Sequence, residues 1–351
     1  MTDRPASVPF FDAHCDTVMK VLDNDADFLG GERTEHISWP GMVAAGVRAQ
    51  VFACFVLSER HPGAEAERAG RMIDAIESMV AGTAGAMAIA RTGDAIARAF
   101  DSGPAAAILA LEGADPLEGR AENLRAFAQR GVRDLIFAWK DNPFSGTAFG
   151  ENTPLTTEGK RLLGLCEESQ IMIDVSHLSD SAFQDVCQIA TRPFIASHSN
   201  CRFLCPSLRN LTDEMIRAVA ERGGVMGINL SPAFLDPAYY HATKPLFEKS
   251  QRPGISDAEV QRLREQALAI PRGGLEWVVR HVLHVIDIGG EDCVGFGGDL
   301  DGIPLLPDGM TDVTDYPLFI PLLLNAGLSE DQIAKICHHN FVRAFSEVLG
   351  G

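Results

Sequence analysis

The sequence predicts an α/β fold of the (β/α)₈ (TIM) barrel type with extra loops and helices, formed by one domain over residues 1–351. Three observations lead to this prediction. Eight short apolar runs of strand length recur along the chain, longer amphipathic segments separate them, and the 351 residues exceed the roughly 250 that such a barrel requires. A doubly wound open sheet is the alternative, and no GxGxxG motif follows a predicted strand to favour it.

The predicted strands are nearly continuous in their hydrophobicity, which suits strands covered on both faces, as in a parallel sheet. In chain order they span residues 10–14, 47–56, 105–113, 132–139, 170–177, 193–199, 224–231 and 292–302. Two of the segments between them show the helical pattern well. In "AEAERAGRMIDAIESMV", Met72, Ile73, Ile76 and Met79 recur at helical spacing, and "NLTDEMIRAVAERGG" begins with a candidate cap, Thr212, and ends in glycine.

A barrel of this kind leaves roughly 100 residues for additional loops and helices. We place them at 81–103, in the polar loop 140–156 and at 231–271, and we expect the tail from Asp315 onward to be mostly helical.

Charge and composition exclude several classes of partner. The formal net charge of −18 would repel nucleic acid and anionic lipid surfaces, so neither is an expected partner. No apolar run approaches the ~20 residues of a membrane span, and the first residues lack the pattern of a signal peptide, so we expect a cytoplasmic protein. The eight cysteines are scattered without a CxxC pair, which indicates reduced, buried thiols.

Side chains of metal-ligand type stand at the C-terminal ends of five predicted strands, the catalytic face of such a barrel. They are His14, Asp16, Glu112, His177, His198 and Asp299. Because side chains alternate along a strand, positions two apart share a face, so His14 and Asp16 can converge on one ion.

Imidazoles and carboxylates without thiolate pairs suit zinc or a similar first-row ion in an open catalytic site. Six such groups exceed what a single open ion needs, and two ions sharing a bridging carboxylate is the simplest arrangement that uses them all. Since a bound metal lowers the pKa of water from about 15.7 to about 7, the pattern points to a hydrolase.

The motifs "DAHCDT", "LEGAD", "GVRDL", "IDVSH", "ASHSN", "RNLTDE", "GGDLDG" and "HNFVRAF" occur in this order nearly from end to end. With them the sequence resembles the membrane (renal) dipeptidase family, peptidase family M19 of the amidohydrolase superfamily. The resemblance implies a barrel of the metal-dependent hydrolase type with two Zn²⁺ ions, which acts on small dipeptides and often tolerates a D-residue in second place. It also implies a possible homodimer.

The resemblance assigns the metal ligands residue by residue. His14 and Asp16 would bind one zinc ion, Glu112 would bridge the two, and His177 and His198 would bind the other.

Two further roles follow from the resemblance. Asp299 would take a proton from the bridging water and pass it to the leaving amine, and it can also contact the first metal. Arg209 would grip the free carboxylate of the substrate, for which a guanidinium fork is well shaped. Asp301 shares a predicted strand face with Asp299, and we favour Asp299 for the chemistry.

One position departs from the family pattern. A histidine that helps to polarise the substrate carbonyl usually ends the strand that begins "GVR", whereas this chain has Trp139 there. Because indole donates a single hydrogen bond and cannot become a cation, Lys140 or Asn142 could supply the missing donor near the substrate. Two alternatives therefore stay open: hydrolysis of another amide, such as an N-acyl amino acid or a β-lactam, and a barrel that retains metals without catalysis.

Overall fold

The computed structural model describes residues 8–24, 26–30, 36–250, 252 and 254–351. Over these residues its centre is a parallel sheet of nine strands. The strands are β1 (Phe10–Cys15), β2 (Val47–Phe55), β3 (Met87–Ile89), β4 (Ala105–Glu112), β5 (Val132–Ile136), β6 (Met172–Asp174), β7 (Ala196–Ser199), β8 (Met226–Ile228) and β9 (Val294–Phe296).

Eight of these strands form a nearly closed barrel in the order β6-β5-β4-β2-β1-β9-β8-β7. A parallel bridge between Asp174 and Ile195 joins the two ends of this path. Two backbone hydrogen bonds support the bridge, from the Val175 amide to the Ile195 carbonyl (2.8 Å) and from the Ile195 amide to the Ile173 carbonyl (2.9 Å). The (β/α)₈ barrel predicted from the apolar runs is confirmed.

The additional strand, β3, lies in the stretch 81–103, which we assigned to loops and helices. It pairs with Ala105–Ala107 at the start of β4, while β5 pairs with β4 from Leu109 onward. Since β2 occupies the other edge of β4, β3 and β5 follow one another along the same edge. Three residues, "MAI", are too few to show a strand pattern, and this explains why β3 was not predicted from the sequence.

Helices cover the outside of the barrel and its ends. They are α1 (Thr17–Asn24), α2 (Trp39–Ala45), α3 (Glu65–Gly82), α4 (Gly93–Asp101), α5 (Leu124–Arg130), α6 (Thr157–Glu168), α7 (Asp180–Ile189), α8 (Asp213–Glu221), α9 (Pro232–Leu235), α10 (Pro237–Ser250), α11 (Asp257–Leu268), α12 (Glu276–Gly289), α13 (Phe319–Asn325), α14 (Glu330–Ala334) and α15 (Asn340–Leu349). The predicted cap of α8 is confirmed, because the Thr212 side chain accepts a hydrogen bond from the Met215 amide. The predicted helical character of the tail is confirmed by α13, α14 and α15.

The last helix, α15, closes the N-terminal end of the barrel. It packs against β1, β6 and β9 together, and its Phe341 and Phe345 rings stack on Phe11 of β1 with centroids 5.2 and 5.4 Å apart. This apolar floor leaves the opposite, C-terminal end of the strands for the polar groups.

Several strands end earlier than the apolar runs predict. β5 ends at Ile136, β6 at Asp174 and β9 at Phe296. Trp139, His177 and Asp299 therefore lie in the turns beyond these strands and not on the strands themselves.

Two predictions from composition can be compared with the structure. All eight cysteines are free thiols, seven of them buried and Cys187 half-buried, as predicted. Every helix among the described residues is too short or too polar to cross a lipid bilayer.

Candidate metal centre

Six side chains of metal-ligand type meet at the C-terminal mouth of the barrel. Their ligand atoms lie within 4.8 Å of one another in three overlapping groups. The groups are His14 with Asp16 and Glu112, Glu112 with His177 and His198, and His14 with His198 and Asp299. The structure thus brings together the six residues that the sequence singled out at five strand ends.

Glu112, the last residue of β4, lies between two sets of ligands and presents one oxygen to each. Its Oε2 is 3.3 Å from Nε2 of His14, which is itself 3.6 Å from Oδ2 of Asp16. Its Oε1 is 3.1 Å from Nε2 of His177 and 3.9 Å from Nε2 of His198. Each oxygen of this carboxylate therefore faces a different set of possible ligands.

The charge states of His177 and His198 suit metal binding, whereas the carboxylates of Glu112 and Asp16 raise the pKa of the His14 imidazole well above 6.5, against the lowering effect of burial. Burial lowers the pKa of both His177 and His198 well below the usual 6.5, and the nearby Arg209 guanidinium and the His14 imidazole add to this effect. Both rings are therefore neutral near pH 7, and their Nε2 atoms lie 3.0 Å apart. Neutral imidazoles offer lone pairs to a cation.

Burial has the opposite effect on the pKa of the Asp16 carboxyl group. Burial, and then repulsion from Glu112, raises the pKa of Asp16 to about 6. Among the described residues, Oδ1 of Asp16 and Nε2 of His14 have no hydrogen-bond partner although both are buried. Buried polar atoms normally have partners, so this donor set fits divalent cations well.

The backbone of two ligand-bearing turns is in the left-handed region. His177 has φ of 69° and Asp299 has φ of 56°, a conformation that costs energy for residues other than glycine. Both residues come three positions after the last residue of a strand, where the chain must turn sharply. The turn carries each side chain back over the mouth, toward the other ligands.

His198 on β7 is oriented by residues that the sequence analysis did not single out. Its Nδ1 lies 2.7 Å from Oγ of Ser197, and that hydroxyl lies 3.3 Å from Oγ of Ser176. Oδ1 of Asp174 accepts hydrogen bonds from the backbone amides of Ser176 (2.8 Å) and Ser197 (3.0 Å). Because Nδ1 is engaged in this way, Nε2 is the atom that faces Glu112.

Asp299 is oriented by Asn229, another residue that the sequence analysis missed. Nδ2 of Asn229 donates to Oδ2 of Asp299 (2.9 Å), while Oδ1 of Asn229 accepts from the Ser231 amide (2.7 Å). The backbone amide of Asn229 also donates a hydrogen bond to Oδ1 of Asn200 (3.2 Å). Burial raises the pKa of Asp299 to about 7, against the lowering effect of its hydrogen bond from Asn229.

Arg209 lies beside this cluster and is 2% exposed. Its Nη1 donates to Oγ of Ser199 and its Nη2 to the carbonyl of His198, both at 2.8 Å. Its Nε, also buried, has no hydrogen-bond partner among the described residues. Burial lowers the pKa of Arg209 to about 10, so the side chain stays cationic near neutral pH.

Trp139 contacts the edge of the cluster and is 36% exposed. Its ring centroid lies 6.3 Å from that of His177 and 4.9 Å from that of Phe55. Lys140, beside it, forms an ion pair with Glu59 at the surface.

Asn142 holds the loop after β5. Its Nδ2 donates to the carbonyl of Phe137 (2.9 Å), and its Oδ1 accepts from the amides of Phe144 (2.9 Å) and Ser145 (3.1 Å).

Asp301 is occupied in holding the backbone. Its carboxylate accepts hydrogen bonds from Oγ1 of Thr17 and from the amide of His36, both at 2.6 Å. It therefore ties the start of α1 and the segment before α2 to the turn that carries Asp299.

Comparison with known proteins identifies the family of the chain. The family described as "Membrane dipeptidase (Peptidase family M19)" matches residues 5–349. A protein of Klebsiella pneumoniae, described as an uncharacterised protein in the pqqA 5' region, is 30% identical over 82% of this chain and 98% of its own length.

Two solved structures superpose closely. That of dipeptidase AC, a metallopeptidase of family M19, has a TM-score of 0.84 and 28% identity and covers 99% of this chain and 100% of that one. That of a Rhodobacter sphaeroides metallopeptidase, bound to a phosphinate mimic of the dipeptide L-Ala-D-Ala, has a TM-score of 0.83 and 27% identity over 98% of this chain and 100% of that one. The chain therefore belongs to the membrane dipeptidase family, peptidase family M19, a family of metallo-dipeptidases.

Proposed function

We propose that the protein is a zinc-dependent dipeptidase that works with two divalent cations bridged by Glu112. The observation that carries the proposal is the division of Glu112 between two ligand sets, with Oε2 facing His14 and Oε1 facing His177. A structural zinc site would be closed by four ligands around one ion, whereas this arrangement is more open and would serve two.

The residues that would hold the ions divide into two groups. His14 and Asp16 would hold one ion, and His177 and His198 the other, with Glu112 shared. When bound, the ions would supply Lewis acidity, which polarises the substrate carbonyl and favours hydroxide at neutral pH.

Asp299 would move the proton. It lies with His14 and His198 in one group of ligand atoms, and its Oδ2 is held by Asn229. A carboxylate placed in this way can accept a proton from the attacking water and deliver it to the leaving amine, as a general base and then a general acid.

Arg209 would bind the carboxylate at the C-terminal end of the dipeptide. Two of its five N–H groups are used by Ser199 and the His198 carbonyl, and these bonds fix the guanidinium beside the cluster. The buried Nε has no protein partner among the described residues and would be the donor offered to the substrate carboxylate. A cation at a fixed distance from the reactive centre would favour short peptides over long ones.

Metal analysis followed by hydrolysis of L-Ala-D-Ala and L-Ala-L-Ala tests the proposal. We expect close to two zinc ions per chain and hydrolysis that is lost with a chelator and restored by zinc. The variant Glu112→Gln, which removes the shared charge, should bind less metal and lose activity. Hydrolysis of an N-acyl amino acid or a β-lactam, with no dipeptide hydrolysed, would favour the other amide, whereas bound metal without turnover of any amide would indicate a non-catalytic barrel.

A further inference from the structure

Phe55 and Trp139 form an aromatic wall at the mouth of the barrel, and we propose that this wall selects dipeptides with a large apolar N-terminal side chain. The inference rests on the proposed dipeptidase function and adds a substrate class to it. Hereafter "the wall" means the side chains of these two residues.

The strand register places both rings beside the bridging carboxylate. Phe55, the last residue of β2, pairs in register with Glu112 of β4. On the other edge of β4, Glu112 pairs with Ile136, the last residue of β5, and Trp139 follows three residues later. The wall therefore spans the end of β4 directly beside Glu112.

The two aromatic rings are in direct contact. Their centroids lie 4.9 Å apart, and their planes are tilted by 58°. Such a tilted contact between aromatic rings is favourable.

The wall is fixed from its outer side. Nζ of Lys140 lies 5.9 Å from the centre of the indole ring and also pairs with Glu59, four residues after Phe55. The loop after β2 and the loop after β5 are thus joined by an aromatic contact and by an ion pair. A surface held in this way can bind a side chain without first having to be ordered.

The position of the wall relative to Arg209 suggests which substrate residue it contacts. Arg209 is bonded to His198 and Ser199 of β7, and β2, which carries Phe55, is four strands away from β7 in either direction around the barrel. A dipeptide whose carboxylate binds Arg209 and whose carbonyl lies over the metal ligands would extend its first residue toward β2. Its N-terminal side chain would then lie against the wall.

The chemistry of the wall favours apolar groups. Phe55 is partly exposed and Trp139 is 36% exposed, so aromatic surface faces the mouth. An alanine side chain would leave this surface in water, whereas leucine or phenylalanine would bury it. One methylene group more or less in an apolar pocket changes kcat/KM by about 10- to 200-fold.

Steady-state kinetics of the zinc-loaded enzyme test the inference. The substrates are Phe-Xaa, Leu-Xaa, Asn-Xaa and Ala-Xaa, each with L-Ala and with D-Ala in second place; asparagine resembles leucine in shape but is polar. We expect kcat/KM to be at least tenfold higher for Leu-Xaa than for Asn-Xaa and for Phe-Xaa than for Ala-Xaa. In Trp139→Ala and in Phe55→Ala, both ratios should fall at least fivefold.

Leu324→Ala is the matched control, because Leu324 is 44% exposed on α13 and does not belong to the wall. It should leave both ratios unchanged. Zinc content and thermal unfolding verify that each variant is folded, and the two wall variants test the same surface from two separate segments of the chain. A wild-type enzyme that hydrolyses dipeptides without this preference, or a preference that survives in both wall variants, overturns the inference alone. Failure to hydrolyse any dipeptide overturns the proposed function, and the inference with it.

Discussion

Replacing Asn229 with alanine should slow catalysis while leaving substrate binding largely intact. Asn229 is 1% exposed, and its side-chain amide donates a 2.9 Å hydrogen bond to Oδ2 of Asp299. A hydrogen bond to a charged group contributes ~1.5–3 kcal/mol, which corresponds to about a 10- to 150-fold loss in kcat if it is made in the transition state. KM should change little, because Arg209, which would bind the substrate carboxylate, is held by hydrogen bonds to Ser199 and His198 and not by Asn229.

The pH dependence should change in a defined direction. The hydrogen bond from Asn229 lowers the pKa of Asp299, in opposition to burial, which raises it to about 7. Without this donor the pKa of Asp299 rises, so its carboxylate becomes available only at higher pH. The acidic limb of the kcat profile should therefore move to higher pH in Asn229→Ala.

The assay is kcat and KM for one dipeptide between pH 5.5 and 9, with Asn340→Ala as the control. Asn340 is also a buried asparagine, but it donates to the backbone carbonyls of Glu291 and Val294 at the start of β9, whereas Asp299 lies beyond the opposite end of that strand. Asn340→Ala should lower the melting temperature without moving the pH profile. If Asn229→Ala retains both the kcat and the profile of the wild type, Asn229 does not position Asp299.

Three further predictions concern other residues. Arg209→Lys should raise KM for a dipeptide about 10- to 100-fold through the loss of the guanidinium fork, but should have no such effect with a C-terminally amidated dipeptide; an equal effect on both would contradict a carboxylate site. Burial, reinforced by Asp174, raises the pKa of Asp134 well above its usual 3.8, and its carboxyl oxygens have no hydrogen-bond partner among the described residues. The folded protein thus keeps a proton that the unfolded chain releases, and it loses stability as pH rises from about 4 toward the raised pKa. Asp134→Asn should therefore gain stability over the wild type by up to ~1.4 kcal/mol per pH unit in this window, and melting curves at pH 5 and 7 that show the same difference would refute this. Trp139→His should raise kcat for Ala-Ala dipeptides by roughly tenfold or more, a part of the ~10²–10³ that one well-placed oxyanion donor contributes, with Trp139→Phe as the control; an unchanged kcat would show that the position does not act on the carbonyl.

The sequence could predict the barrel and the metal ligands because both follow from local rules. Continuous apolar runs such as 105–113 mark strands buried on both faces, and parallel strands bring their C-terminal ends to one edge. A polar residue that interrupts such a run at its end, as Glu112 does, must lie at that edge. The chemistry then follows from which residue types collect there.

The residues that orient the ligands could not be predicted in the same way. Asn229 and Asp174 lie at the ends of short apolar runs, and their roles depend on distant partners. Asn229 contacts Asp299, which is 70 residues away in the chain, and Asp174 contacts Ser197, which is 23 residues away. The wall could not be predicted from the sequence either, because the contact between Phe55 and Trp139 depends on the register of β2, β4 and β5. Long-range register is set by the closed barrel as a whole and leaves no local pattern.

The barrel separates the residues that stabilise it from those that act. At its N-terminal end, Phe11, Phe341 and Phe345 pack in an apolar cluster that contributes favourable burial. At its C-terminal end, His177 and Asp299 adopt left-handed backbone conformations, and buried carboxylates repel one another. These features each cost stability, and they persist because the surrounding strands fix them. Bound cations would remove the repulsion, so we expect metal binding to raise the melting temperature, and to do so less in Glu112→Gln, which lacks the shared charge.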